Sequence, residues 1–196
     1  MALKHLVGPF TRYLRDQAGI SALEFALTAP LLIACLAGMG ELSQLLVADR
    51  DVIKISTSLA DLTAEASNVT AATLNDQFAI ATNLMSPLPV GDLSIRVTSV
   101  VPAQTHGQVT SAVVLWCKSS GSNLPCGGKG APVGVMADGS SFKLGLLPVA
   151  GSNTIVAEAS YTYTSPILIM LPTAHRVVHV TYFSPRVSTS VPCADC

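Results

Sequence analysis

The chain is poor in charge, in aromatic rings and in any excess of one sign. Only 12% of its 196 residues are charged and 5% are aromatic, where roughly a quarter charged is usual for a soluble domain. Eleven Lys/Arg against twelve Asp/Glu leave a net charge of −1. No basic stripe is visible, so nucleic acid is not an expected partner. The 49% hydrophobic content excludes disorder of the whole chain, which needs low hydrophobicity and high charge.

Catalytic motifs are missing as well. Neither GxSxG nor HExxH occurs. Gly127-Gly128-Lys129-Gly130 has no glycine five residues before Gly128 and no Ser/Thr after Lys129, so it is not a phosphate loop. His106, His175 and His179 have no companion nucleophile motif. On a strand, His175 and His179 would share a face but stand ~13 Å apart, too far to share a metal. No metal, cofactor or small-molecule substrate is expected, and an enzyme is the least supported class.

What the chain has is one long apolar run. Phe25–Gly40 carries no charge, and extension back to Ile20 adds only Glu24. A helix of these 21 residues would span roughly 31 Å, about the hydrocarbon thickness of a bilayer. Lys4, Arg12 and Arg15 precede it against a single acid, Asp16, and Glu41, Asp49 and Asp51 follow it. That asymmetry predicts a single-pass protein with its N-terminus in the cytoplasm. The runs LGLLPV and SPILIMLP are too short and too proline-bound to be second spans.

Two export signals compete with this reading. A secretory signal peptide needs a short apolar core and a small-residue cleavage site, which Glu24 and Pro30 disfavour. A lipoprotein signal matches only the short string Leu32-Ile33-Ala34-Cys35. Either would make the chain an exported binding module. An uncleaved single-pass adaptor is a further alternative.

A carboxylate inside an apolar span costs ~2.5–3.5 kcal/mol at the helix centre and less near the interface, so Glu24 calls for a positive partner. Gly19 is followed by Ile20-Ser21-Ala22-Leu23-Glu24-Phe25. This string resembles the type IV prepilin signature, in which a peptidase cuts after the glycine. The resemblance implies Gly19 as the cleavage position, Ile20 as the mature N-terminus, and Glu24 as the partner of a neighbouring subunit's terminal amine. An opposite charge is what makes a buried carboxylate tolerable.

Arg15-Asp16-Gln17-Ala18-Gly19, then ALEFAL, Pro30 six after the glutamate, and Gly38-Met39-Gly40-Glu41-Leu42 narrow the likeness. Together they resemble the TadE-type (TadE/TadF) minor pseudopilins of tight-adherence (Tad/Flp) pilus systems. Tyr161-Thr162-Tyr163 and the closing Tyr182-Phe183-Ser184-Pro185-Arg186 are also similar to that family. The resemblance implies a structural pilus-assembly component of the bacterial inner membrane with a periplasmic outer domain. Its implied partners are the membrane, a prepilin peptidase, other pseudopilins or pilins, and the Tad inner-membrane assembly platform.

Beyond Glu41 the helical period continues through Leu42, Leu45, Leu46, Val52, Ile53 and Leu59. One helix over about 20–66 is expected, kinked at Pro30; the alternative is a break near Gly38/Gly40. Residues 71–85 read as a second helix, stopped by Ser86-Pro87-Leu88-Pro89. Strands are expected at 93–98, 109–117, 155–164 and 176–183. The expected class is α+β: a long N-terminal transmembrane and amphipathic helix packed on a small antiparallel sheet, pilin-like, with one Gly-rich excursion. The expected divisions are a leader at 1–19, a span and stalk at 20–66, and an outer domain at 67–196.

Residues 118–153 hold eight of the 14 glycines and are expected to form a variable exposed loop. Cys35 reads as a small buried hydrophobe. Cys117, Cys126, Cys193 and Cys196 lie on the outer side, where disulfides persist. Three pairings are possible. Cys117–Cys126 is favoured because it would pin the base of the loop. Cys193–Cys196 and a tail-to-loop cross-link both stay open, and a zinc site would need all four thiolates together.

Overall fold

The hydrophobic pattern resolves into two helices and four strands among the described residues. The computed structural model describes residues 19–105, 108–143, 145, 152–166, 171 and 173–196. Lys4, Arg12, Arg15 and Asp16 of the expected leader, His106 and the centre of the Pro-flanked run SPILIMLP lie outside them. The order is α1 (Ile20–Glu65), α2 (Ala71–Asn83), β1 (Leu93–Thr105), β2 (Gln108–Ser120), β3 (Thr154–Tyr163) and β4 (His175–Phe183).

Helix α1 runs 46 residues without a break, through Pro30, Gly38 and Gly40. Pro30 has no N–H to offer the Ala26 carbonyl. Nearby, the Thr28 hydroxyl donates to the carbonyls of Glu24 (3.0 Å) and Phe25 (3.3 Å). Helix α2 starts at a reciprocal cap: Thr70 accepts from the Thr73 N–H, and the Thr73 hydroxyl accepts from the Thr70 N–H. This satisfies two of the amides that a helix start leaves without partners.

The strands form one antiparallel sheet in the order β2-β1-β3-β4. Strand β3 is central and buried along nearly its whole length. Its alternation sends Ile155, Ala157, Ala159, Tyr161 and Tyr163 into one core with Val52, Ile55, Leu59 and Ala60 of α1 and Leu74 and Phe78 of α2. The indole of Trp116 on β2 donates to the Val191 carbonyl at 2.7 Å, which holds the C-terminal tail against this core.

Two expectations need correction. Strands β1 and β2 are longer than read: Lys118, Ser119 and Ser120 still pair with Val97, Arg96 and Ile95, and β1 continues through Pro102. Register shifts at Ser99/Val100 and Ala103/Gln104 break the two-residue alternation in the second half of β1, and that hides its extension from a pattern reading. The excursion therefore begins at Gly121. This residue has φ +85°, and a Cβ on it would lie 2.7 Å from the Leu93 carbonyl oxygen, so only glycine fits.

The second correction concerns what the excursion does. It is not simply an exposed loop, because it covers the second face of the sheet. Met136 and Phe142 bury against Val100, Ala112 and Val156, with Val180 and Tyr182 alongside. Phe142 meets Tyr182 edge to face at 5.7 Å between ring centroids. Residues 130–133 also hydrogen-bond along β2: Gly130 N–H to Val114, Val114 N–H to Ala131, and Val133 N–H to Ala112. That covers an otherwise open sheet edge.

Candidate functional site

The stretch singled out in the sequence forms the bare half of α1. Between Ile20 and Met39, nine large apolar side chains stand half or more exposed, from Ile20 at 50% to Leu27 at 71%. None of the apolar 18-residue window is buried against the rest of the chain, and the helix is long and apolar enough to cross a membrane. Each such side chain gains about 1–2 kcal/mol on leaving water. The sum, on the order of 10 kcal/mol, matches the whole stability of an ordinary domain. Nothing among the described residues covers that surface.

Gly19 caps α1 with φ −79° and no side-chain hydrogen bond. A Cβ built on it would meet nothing within 4 Å. Neither packing nor backbone conformation therefore demands glycine here. Ile20, Glu24 and Phe25 are all exposed on the first turns, Phe25 by 70%. Among the described residues the Glu24 carboxylate has no ion pair or side-chain hydrogen bond. Cys35 is a free, exposed thiol on the same bare segment, so the expected burial is not supplied by this chain.

At Glu41 the surroundings change completely. Its side chain is 1% exposed, and Oε2 accepts the Leu171 N–H at 3.1 Å. Three residues on, Gln44 Oε1 accepts the Tyr163 hydroxyl at 3.1 Å. The end of β3 and Leu171 of the β3–β4 connection are thus fastened to α1 just beyond the bare segment. The sequence marked Glu41 only as part of an exit motif. Its burial was not legible, because its partner is a backbone amide 130 residues away.

The second half of α1 is pinned at its far end by Arg186. Its guanidinium pairs with Asp61 at 2.6 Å and Glu65 at 3.2 Å and lies 5.4 Å from the Phe183 ring centroid. On the other sheet face, Arg96 Nε donates to Glu158 Oε2 at 2.5 Å, with Arg96 17% and Glu158 1% exposed. The Ala137 N–H donates to Glu158 Oε1 at 2.8 Å, and Arg96 Nη1 donates to the Pro125 carbonyl at 2.7 Å. The ion pair therefore clamps the excursion at two points. It borders a cleft of about 110 Å³, where both Glu158 oxygens and the Arg96 Nε and Nη1 are engaged in holding the fold. Burial, with the charges of Asp138 and Glu158, pushes the Tyr182 phenol above its ordinary value.

Cys117 and Cys126 are joined, with Cα atoms 5.7 Å apart, across the base of the excursion. Cys193 and Cys196 are joined to each other, so the tail and the loop are not cross-linked. Cys193, Asp195 and Cys196 offer ligand atoms within 4.8 Å of one another. With both sulfurs in the disulfide, only the Asp195 carboxylate remains a strong ligand, and its Oδ1 already accepts the Ala71 N–H at 2.7 Å. His175 and His179 lie on β4 opposite Tyr163 and Ala159, without a nucleophile partner.

Comparison with known proteins agrees with the likeness read from the sequence. Residues 19–53 match the family model described as TadE-like protein. This stretch covers Gly19, the whole bare segment and the first half of the packed one. No curated protein and no solved structure matches the chain. The matched segment is similar to a family of structural components associated with the Tad pilus.

Proposed function

We propose that the chain is a minor pseudopilin that takes part in assembling a Flp/Tad-type pilus for adhesion. One observation carries this reading: the matched stretch opens with an apolar helical segment, residues 20–40, whose large side chains are all bare and whose one acid, Glu24, has no partner among the described residues. In this reading residues 1–19 are a leader removed by a prepilin peptidase, which leaves eight basic and eleven acidic residues. Cleavage creates an α-ammonium at Ile20, four residues from the Glu24 carboxylate. Residues 20–40 lie in the inner membrane with Pro30 as the site of a bend, and the domain faces the periplasm.

Gly19 then serves the peptidase, in keeping with the lack of any packing reason for glycine there. Glu24 serves a neighbouring subunit, whose terminal ammonium offsets the cost of a carboxylate in an apolar setting. Other pseudopilins and the inner-membrane assembly platform supply the surfaces that the bare helix needs. The test is Glu24→Ala in cells that make the pilus. The variant is expected to insert into the membrane and to be processed, with assembly reduced at least tenfold in pilus counts by electron microscopy. Normal pilus formation with this variant would contradict the inter-subunit role.

A further inference from the structure

A groove of about 540 Å³ opens where α1 leaves its bare segment. Gln44 and Val47 of α1 form one wall, Pro87 and Pro89 a second, and Tyr161 with the end of β3 a third; Asp92, exposed, also lines it. The lining is mostly apolar, and Asp92 is its only charged group among the described residues. Residues 43–47 sit ~4–10 Å past Gly40 at helical rise. The polar layer of each leaflet is ~5–8 Å deep. If residues 20–40 span the bilayer, as the functional reading holds, this groove lies at headgroup height.

We infer that the groove seats a phospholipid with an ammonium headgroup, from the leaflet that α1 exits. Its volume is within the range of ligand pockets. Its tyrosine and proline walls suit the membrane–water boundary, where tyrosine is enriched. The single charge in the lining, Asp92, is negative, so the groove selects a cationic headgroup end over an anionic one. The field of Asp92 reaches into the groove: after burial, its charge is the next cause that raises the Tyr161 phenol above its ordinary value. Exposed Val47, at 40%, gives the acyl chains an apolar path down towards the bare segment of α1.

The test uses the full chain in bilayers of equal parts phosphatidylethanolamine and phosphatidylglycerol, with retained lipid read by native mass spectrometry after gentle extraction. Wild type is expected to retain the ethanolamine lipid about fivefold over the glycerol lipid, the scale of one partly exposed ion pair. Asp92→Asn should bring the ratio to about one, while Asp76→Asn, which removes an exposed acid on α2 outside the groove, should leave it unchanged. Val47→Trp, which fills the groove and keeps Asp92, should lower the lipid retained. An inserted wild-type protein with no preference would overturn the inference and leave the spanning reading intact, as would equal loss with Asp76→Asn. Failure to insert, read separately as extraction by alkaline carbonate, would overturn both.

Discussion

The two halves of α1 share one helix and have opposite surroundings. From Ile20 to Gly40 almost every large side chain is bare. From Glu41 to Ala64 the buried positions Glu41, Ala48, Val52, Ile55, Leu59 and Thr63 recur every three to seven residues, and they place one face of the helix against the domain. The first half is apolar all round, while the second is amphipathic. A helix with one apolar stripe buries it in its own protein, whereas one apolar on every side needs an apolar surrounding. Helix α1 is thus two devices in series: a segment that the described residues leave bare, and a segment that forms part of the domain core.

Single truncations should separate the halves sharply. Leu59→Ala removes a side chain that is 1% exposed in the shared core and should cost about 2–5 kcal/mol. Leu32→Ala, at a position 58% exposed, should change the stability of the detergent-solubilised domain by less than about 0.5 kcal/mol. Denaturant unfolding of the two variants checks this. Equal losses would mean that the bare half packs on the domain after all.

The excursion offers the next test, because it plays towards β3 the part that α1 plays on the opposite face. Arg96→Ala would leave the Glu158 carboxylate buried without its cation and should cost about 3–5 kcal/mol. The double variant Arg96→Met with Glu158→Gln should recover most of that loss, since a buried pair often contributes little beyond its own desolvation. Failure of the double variant to recover would show that the clamp on Ala137 and Pro125 needs the charges themselves.

How much of this was legible follows from the range of each signal. The alternation of Ile155, Ala157, Ala159 and Tyr161 revealed β3, and the helical recurrence of Leu45, Val52 and Leu59, seven residues apart, revealed the packed half of α1. These are local periods. The cover over the second sheet face was not legible, because Leu124, Met136 and Phe142 are buried but follow no period among the glycines. Nor was the burial of Glu158 legible, because its partner, Arg96, is 62 residues away in the sequence and meets it only through the β1–β3 register. At the bare segment the reverse holds: Gly19, Glu24 and Pro30 stood out in the sequence because the fold gives them no local purpose.

The smallest expected effect lies at the exposed rim of the excursion. The Ser140 hydroxyl and N–H donate to Asp138 Oδ1 at 2.7 and 2.9 Å, and the hydroxyl bond is the main cause that holds the Asp138 carboxyl below its ordinary value of 3.8. A carboxyl depressed on folding stabilises the fold above its unfolded pKa, and that contribution fades as pH falls through the folded value. Ser140→Ala should move the Asp138 titration midpoint back up towards the ordinary value by NMR and leave stability at neutral pH nearly unchanged. An unmoved midpoint would assign the depression to other groups.

The difference between the halves of α1 rests finally on where the mature helix begins. N-terminal sequencing of the membrane-extracted protein, made with and without a prepilin peptidase, reads that directly. The account predicts a chain starting at Ile20 when the peptidase is present and at the unprocessed leader when it is absent, with Gly19→Ala accumulating precursor. A chain that keeps its leader under both conditions would contradict it, as would one that starts at Cys35.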